Sequence, residues 1–294
     1  MRKSILLAAL ILSTTVLSQT DDDVITVDSS VVVINAAVTG PDAKAVTGLK
    51  RTQFRIFEDG KEQAIDSFGA EETPFAAVIL LDTSGSMEQR VSLARSAAIE
   101  FLYGLRRDDN CAIYNFDSKV KLIQDFSNSR DIREQIFDLK ADGMTALNDA
   151  VYKAAEVLSK RPERRRAIIV LSDGMDTFSA RNAEKALRAA LAVNANIYTV
   201  DMAPVDTGAR LRMQNQGVLK NFAEKTGGRF VATPGGVAMR EAFKRIVEEL
   251  GGQYTITYQP TNTLKDGKWR SIEVRISRPN LTIRARKGYN APKQ

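Results

Sequence analysis

The stretch Phe75–Met87 reads FAAVILLDTSGSM. Phe75 to Leu81 is wholly apolar, with no polar alternation, which suits a strand buried on both faces of a parallel sheet. The run stops at Asp82-Thr83-Ser84-Gly85-Ser86, and helical periodicity begins just after it. In open α/β sheets, ligands sit in the crevice beyond the strand C-termini. Asp82, Ser84 and Ser86 therefore put one carboxylate and two hydroxyls at i, i+2 and i+4 in the expected binding position.

Strand–helix alternation extends from this stretch toward the C-terminus. Glu88 to Leu105 predicts a helix, with apolar residues at Val91, Ala94, Ala98, Phe101 and Leu102. Asn110–Phe116 and Val120–Phe126 predict a hairpin, so one strand should run antiparallel. Helices are expected at Asp131–Leu139, Ala146–Leu158, Ala180–Val193, Gly217–Thr226 and Val237–Leu250. Strands are expected at Ala167–Leu171, Ile197–Val200 and Phe230-Val231. This order calls for a mostly parallel sheet covered by helices on both sides.

The two ends are different. Residues 24–70 and those past Gly252 are β-rich: Val24–Val38, Phe54–Phe57 and Ala64–Phe68, then Tyr254–Tyr258, Trp269–Ser277 and Leu281–Arg286. Neither flank has enough strands to be stable alone. The economical reading is one small β-sandwich made from both flanks, with a Rossmann-like, doubly wound α/β domain inserted between them. The expected division is 1–18 signal peptide, 19–72 N-terminal flank, 73–252 inserted domain and 253–294 C-terminal flank. Trp269, the single tryptophan, is expected in the sandwich core.

Composition excludes several classes of function. The chain has no histidine and one cysteine, Cys111, set in a strand-like apolar context. That removes Ser-His-Asp and Cys-His mechanisms, His-ligated or Cys-rich zinc sites and internal disulfides. The net charge of +6 gathers at Lys160–Arg166 and at Arg270, Arg275, Arg278, Arg284, Arg286 and Lys287. The second group alternates with apolar residues and reads as the solvated face of strands, not as a nucleic-acid surface. No Gly-x-Gly-x-x-Gly or phosphate loop is present. Arg2, Lys3 and the apolar Ile5–Leu12 read as a secretory signal ending near Ser18, with an uncleaved anchor as the alternative. The mature chain is then expected to be periplasmic or extracellular, with no transmembrane segment.

Two further features converge on the opening loop. Asp173 ends the apolar strand Ala167–Leu171 in Ser172-Asp173-Gly174, and Thr145 follows Gly143-Met144 just before a helix. All three loops should open on the same sheet edge. The candidate metal set is Asp82, Ser84, Ser86, Thr145 and Asp173. Oxygen-only donors select hard cations: Mg²⁺, with Mn²⁺ or Ca²⁺ as alternatives. Two carboxylates balance a dication, while the neutral hydroxyls leave it electrophilic, with room for a carboxylate from a partner.

Asp82-x-Ser84-x-Ser86, Thr145 in Gly-Met-Thr-Ala-Leu and Asp173 in Leu-Ser-Asp-Gly resemble the metal-ion-dependent adhesion site of von Willebrand factor type A domains. The resemblance covers about residues 74–252. It implies that Ser84, Ser86 and Thr145 lie against the metal and that Asp82 and Asp173 act through water. Phe54-x-x-Phe57-Glu58-Asp59-Gly60-Lys61 and Ala285-Arg286-Lys287-Gly288-Tyr289 resemble the flanks of exported bacterial members. Met144 departs from the Gly-Gly-Thr that many members carry, and it either alters the loop or offers a ligand an apolar contact. The function implied is a non-enzymatic module for protein binding, the partner supplying a carboxylate and no small-molecule substrate being turned over. The alternative is a Mg²⁺-dependent phosphatase with Asp82 as nucleophile. Such enzymes commonly carry a second Asp two residues on, where this chain has Ser84.

Overall fold

The computed structural model describes residues 31–70, 73–130, 136–137, 139–141, 143–204, 207–232 and 236–293. The N-terminal flank contributes β1 (Val32–Thr39), β2 (Phe54–Glu58), β3 (Lys61–Gln63) and β4 (Ser67–Gly69). Alternation follows as β5 (Phe75–Asp82), α1 (Val91–Tyr103), β6 (Asn110–Phe116), β7 (Val120–Ser127), α2 (Leu147–Ser159), β8 (Arg165–Ser172), α3 (Ala183–Ala192), β9 (Ala195–Asp201), α4 (Ala209–Thr226), β10 (Phe230–Val231) and α5 (Gly236–Gly251). The chain ends in β11 (Tyr254–Tyr258), β12 (Trp269–Ile276), β13 (Thr282–Arg284) and β14 (Gly288–Asn290). The expected signal and the first residues of Val24–Val38 lie outside the described residues, as does most of the expected helix Asp131–Leu139.

The central sheet has the order β10-β9-β8-β5-β6-β7. Every pairing is parallel except β6 with β7, as the tight Asp117-Ser118-Lys119 connection requires. β5 is central and at most 1 % exposed along its length. Period-2 alternation still operates inside its continuous apolar run. Phe75, Ala77, Ile79 and Leu81 pack with α1 and α5, while Ala76, Val78 and Leu80 pack with α2, α3 and α4.

The flanks form two four-stranded sheets, β13-β1-β11-β4 and β14-β12-β2-β3. Each mixes strands from both ends of the chain: Ile34 of β1 pairs with Ile256 of β11, and Ile56 of β2 with Val274 of β12. A third apolar cluster joins the two sheets, with Ile34, Tyr254 and Ile256 from one and Phe54, Ile56, Ile272 and Val274 from the other.

Some expectations need correction. Trp269 is 39 % exposed and is not core. Along β12 buried and exposed positions alternate, so once Ile272 and Val274 face inward, Trp269 faces out. The same alternation puts Arg270 inside, donating to Asp266 Oδ1 at 2.9 Å. Arg286 is also buried and donates to Leu191 O at 3.2 Å. Neither arginine belongs to a solvated strand face. α4 begins at Ala209, eight residues before the expected Gly217; the apolar residues of its first two turns, Ala209, Leu211 and Met213, fall at alternate positions and form no helical stripe. Cys111 is fully buried, which pushes its thiol well above the ordinary range.

α4 closes on Gly227 in the left-handed conformation, φ +80°, where a Cβ would overlap the backbone of Ala285. Gly217 sits mid-helix in open space. Gly227→Ala is expected to cost at least about 2 kcal/mol, from strain plus collision. Gly217→Ala is expected to stabilise by about 0.5–1 kcal/mol through helix propensity. Urea unfolding midpoints of the two variants check both signs.

Candidate metal centre

Asp82 ends β5 with its carboxylate at 0 % exposure. Its Oδ1 accepts from Ser84 N at 2.9 Å and Ser84 Oγ at 2.6 Å, and its Oδ2 accepts from Ser172 Oγ at 2.6 Å. Ser84 Oγ lies 3.2 Å from Ser86 Oγ. Ser86 is exposed, so the hydroxyl chain runs from the interior to solvent. The turn is fixed from β6, where Phe116 O accepts from both the amide and the hydroxyl of Thr83 (2.8 and 3.2 Å). A 3₁₀ turn over Gly85–Met87 then leads into α1.

The second loop docks on the first through Gly85 N, which donates to Gly143 O at 3.1 Å. Gly143 has φ +74°, a conformation that favours glycine. Thr145 O accepts from Thr177 N and Phe178 N, both at 2.9 Å, and Thr145 N donates to Thr177 Oγ1 at 3.0 Å. Thr145 is 2 % exposed, and its hydroxyl makes no hydrogen bond among the described residues.

The third loop enters through Ser172. Asp173 Oδ1 accepts from Met175 N at 2.9 Å. Asp176 takes no place in the set: its carboxylate accepts from Asn148 N at 2.7 Å in the first turn of α2, and from Ser179 N and Oγ. Asp149 reciprocates by accepting from Ala180 N and Arg181 N. The second and third loops are thereby stapled at both ends.

Asp82, Ser84 and Ser86 are thus joined directly, and Asp173 stands beside Ser172, which bonds to Asp82. Thr145 is joined through its loop, with no hydrogen bond to the other four. Sequence reasoning missed Ser172 as an Asp82 partner. The signal was available, because Leu81 of β5 is in register with Leu171 of β8 and the next residues are therefore neighbours.

The electrostatics distinguish Asp82 from Asp201, a second buried carboxylate at the same sheet edge. Asp201 Oδ2 accepts from Gln216 Nε2 at 2.7 Å and has Arg212 at 3.8 Å. Among the described residues, no lysine or arginine pairs with Asp82 or Asp173. Burial pushes the Asp82 carboxyl up to about 7, against the opposing hydrogen bonds from Ser172 and Ser84, with Asp173 adding to the rise. A buried carboxylate without a counter-charge, beside a second carboxylate and three hydroxyls, fits a hard divalent cation. No group of three or more Asp, Glu, His or Cys side chains able to hold a metal occurs among the described residues, so the set relies on its hydroxyls.

Residues 77–175 match the von Willebrand factor type A domain family. Over 138 residues the chain is 32 % identical to an uncharacterized protein of Synechocystis, a match covering 45 % of this chain and 31 % of that one. The chain thus spans under a third of that relative's length. A von Willebrand factor type A structure from Catenulispora acidiphila superposes with TM-score 0.51 at 12 % identity, covering 85 % of this chain and 71 % of that one. The pilus adhesin SpaC of Lactobacillus rhamnosus GG, in an open conformation, gives TM-score 0.51 at 9 % identity, covering 84 % and 49 %. The family match lies within the strand–helix alternation, and the superpositions show that the fold is shared.

The raised Asp82 carboxyl has a consequence for stability. In the folded protein it holds its proton up to about pH 7, whereas the ordinary carboxyl releases it near 3.8. The folded state then binds more protons across that window, so in chelator the Asp82 contribution falls as pH rises from 4 to 7. The full cost, on the order of 4 kcal/mol, is present above pH 7. Asp82→Asn is expected to be relatively more stable at pH 8 than at pH 5 when each is compared with wild type in EDTA. An unchanged difference between the two pH values overturns the assignment.

Proposed function

We propose that this chain is an exported, metal-dependent protein-binding module. In this reading Asp82, Ser84, Ser86, Thr145 and Asp173 hold Mg²⁺, or Mn²⁺ or Ca²⁺ in its place. The observation that carries the reading is the buried Asp82 carboxylate, which has no cation partner among the described residues and lies on a hydroxyl chain leading to solvent. The bound cation supplies an electrophilic site for a carboxylate on a partner protein. Asp82 and Asp173 neutralise the dication, Ser84 and Ser86 orient toward the opening, and the loop hydrogen bonds hold Thr145 in place. We infer also that the two flanking sheets act as one β-sandwich base, presenting the three loops away from it.

The rim fits a protein partner. Met144 and Phe178 are each 54 % exposed, and they flank Thr145 in sequence and through the Phe178 N–Thr145 O bond. Two large apolar side chains beside a polar site favour a partner segment with an acidic residue next to an apolar one. Ser84 lacks the carboxylate that a second acid–base group would provide, which favours binding over phosphoryl transfer. Export agrees with the pilus adhesin among the proteins of similar fold. Among the described residues no helix is long and apolar enough to cross a membrane.

Mg²⁺ at a hundredfold excess over its dissociation constant is expected to stabilise the chain by about 2.7 kcal/mol. Asp82→Ala should lose this response, and thermal unfolding with and without EDTA reads it; no Mg²⁺ response in wild type sinks the proposal. Phe178→Ser and Met144→Ser should keep the Mg²⁺ response while lowering EDTA-sensitive capture of the partner from an envelope extract by about tenfold, the size of one lost apolar contact.

A further inference from the structure

Trp269 leads to a second site, remote from the three loops. Its ring lies against Gly288, where any Cβ would collide with the indole and with Arg270 O. Glycine at this position makes room for the indole against the β12–β14 pair, with Trp269 opposite Asn290. The residue is nevertheless 39 % exposed. It forms one wall of a cleft of about 330 Å³ between the flanking sheet and α3. The facing wall is one stripe of α3, with Leu187 and Leu191 as an apolar floor and Glu184 and Arg188 as an ion-paired rim. Lys225, at the end of α4, places its ammonium 5.9 Å from the indole centroid, and Asn290 completes the lining.

We propose that this cleft binds a saccharide bearing a carboxylate. A pyranose has an apolar C–H face and a polar edge. The fixed indole and the leucine floor match the face, while Glu184, Arg188 and Asn290 supply planar hydrogen-bonding groups for the hydroxyls. Glu184 offsets Arg188 and leaves the Lys225 charge for the carboxylate. The volume falls at the small end of ligand sites, enough for roughly one or two sugar rings and too small for a helix or a folded partner. The site shares no residue with the candidate metal centre, so its occupancy is independent of divalent cations.

Trp269 is the only tryptophan of the chain, so its emission, excited selectively over the tyrosines, reports on this cleft. Titration of the full chain with a galacturonan tetrasaccharide is expected to give a saturable change in emission, unaffected by EDTA. Calorimetry should show binding at least tenfold weaker in Trp269→Ala and in Arg188→Ala. Arg188 has a side chain 61 % exposed, so its replacement leaves folding untouched. Lys225→Ala should weaken the galacturonan more than neutral chitotetraose. Absence of saturable binding overturns the proposal. So does wild-type affinity in Trp269→Ala or in Arg188→Ala, or a poly-glutamate peptide binding as tightly as the galacturonan, which would reduce the site to charge alone.

Discussion

Asp82 sets the problem that the surrounding loops solve. A strand buried on both faces is the cheapest way to place a backbone terminus at the centre of a doubly wound sheet, and here it delivers a carboxylate into a dry position. An isolated buried anion is costly, and a protein relieves it by pairing, by hydrogen bonding or by protonation. Ser84 and Ser172 supply hydrogen bonds, and the raised carboxyl shows that they do not suffice. Asp201, two strands over, has Arg212 and Gln216 instead. Two carboxylates at one sheet edge thus have different surroundings: Asp201 has a guanidinium at 3.8 Å, while the partners of Asp82 among the described residues are hydroxyls and an amide.

The loops around Asp82 are preorganised by backbone contacts. Thr83 is tied to Phe116, Gly85 to Gly143, and Thr145 to Thr177 and Phe178. Asp176 and Asp149 exchange contacts between the start of α2 and the lead-in to α3. Such reciprocal capping satisfies helix-terminal amides that would otherwise need water. It also makes the three loops one rigid unit, which lowers the ordering cost of any ligand they take up.

Much of this was legible because the signals were local. The uninterrupted apolar runs at Phe75–Leu81 and Ala167–Leu171 identify β5 and β8, and the oxygen-bearing residues that stop them identify the site. The hairpin at Asp117–Lys119 shows which strand reverses. What was not legible depends on partners distant in sequence. The start of α4 has no helical stripe to read, yet it packs close enough at Gly174 that a Cβ there would strike the backbone of Asn215. Ser172 became an Asp82 partner only through strand register. Trp269 was placed inside by its residue type, although the alternation through Ile272 and Val274 already put it outside. The buried arginines were misread for a similar reason, since a guanidinium goes inside only where carbonyls and carboxylates from other segments wait for it.

Arg165 shows what those waiting groups do. It is fully exposed to neither solvent nor apolar packing: its guanidinium, at 0 % exposure, donates to Thr73 O at 3.4 Å and Gly251 O at 3.3 Å. These carbonyls lie just before β5 and at the end of α5, the first and last elements of the strand–helix alternation. The same side chain bonds to Thr255, which bonds to Asn35 across the β1–β11 pair. Nearby, Glu249 of α5 accepts from Tyr198 on β9 at 3.0 Å and pairs with Arg229 and with Arg284 of β13. Buried ionic groups contribute little net stability compared with apolar residues of similar size, but they tolerate few alternative arrangements. Directional bonds from one guanidinium to Thr73, ahead of β5, and to Gly251, at the end of α5, admit fewer arrangements than apolar contacts would. Arg284 of β13 is tied to α5 in the same way, and the gap left between α3 and the β12–β14 end is the cleft that carries the chain's only indole.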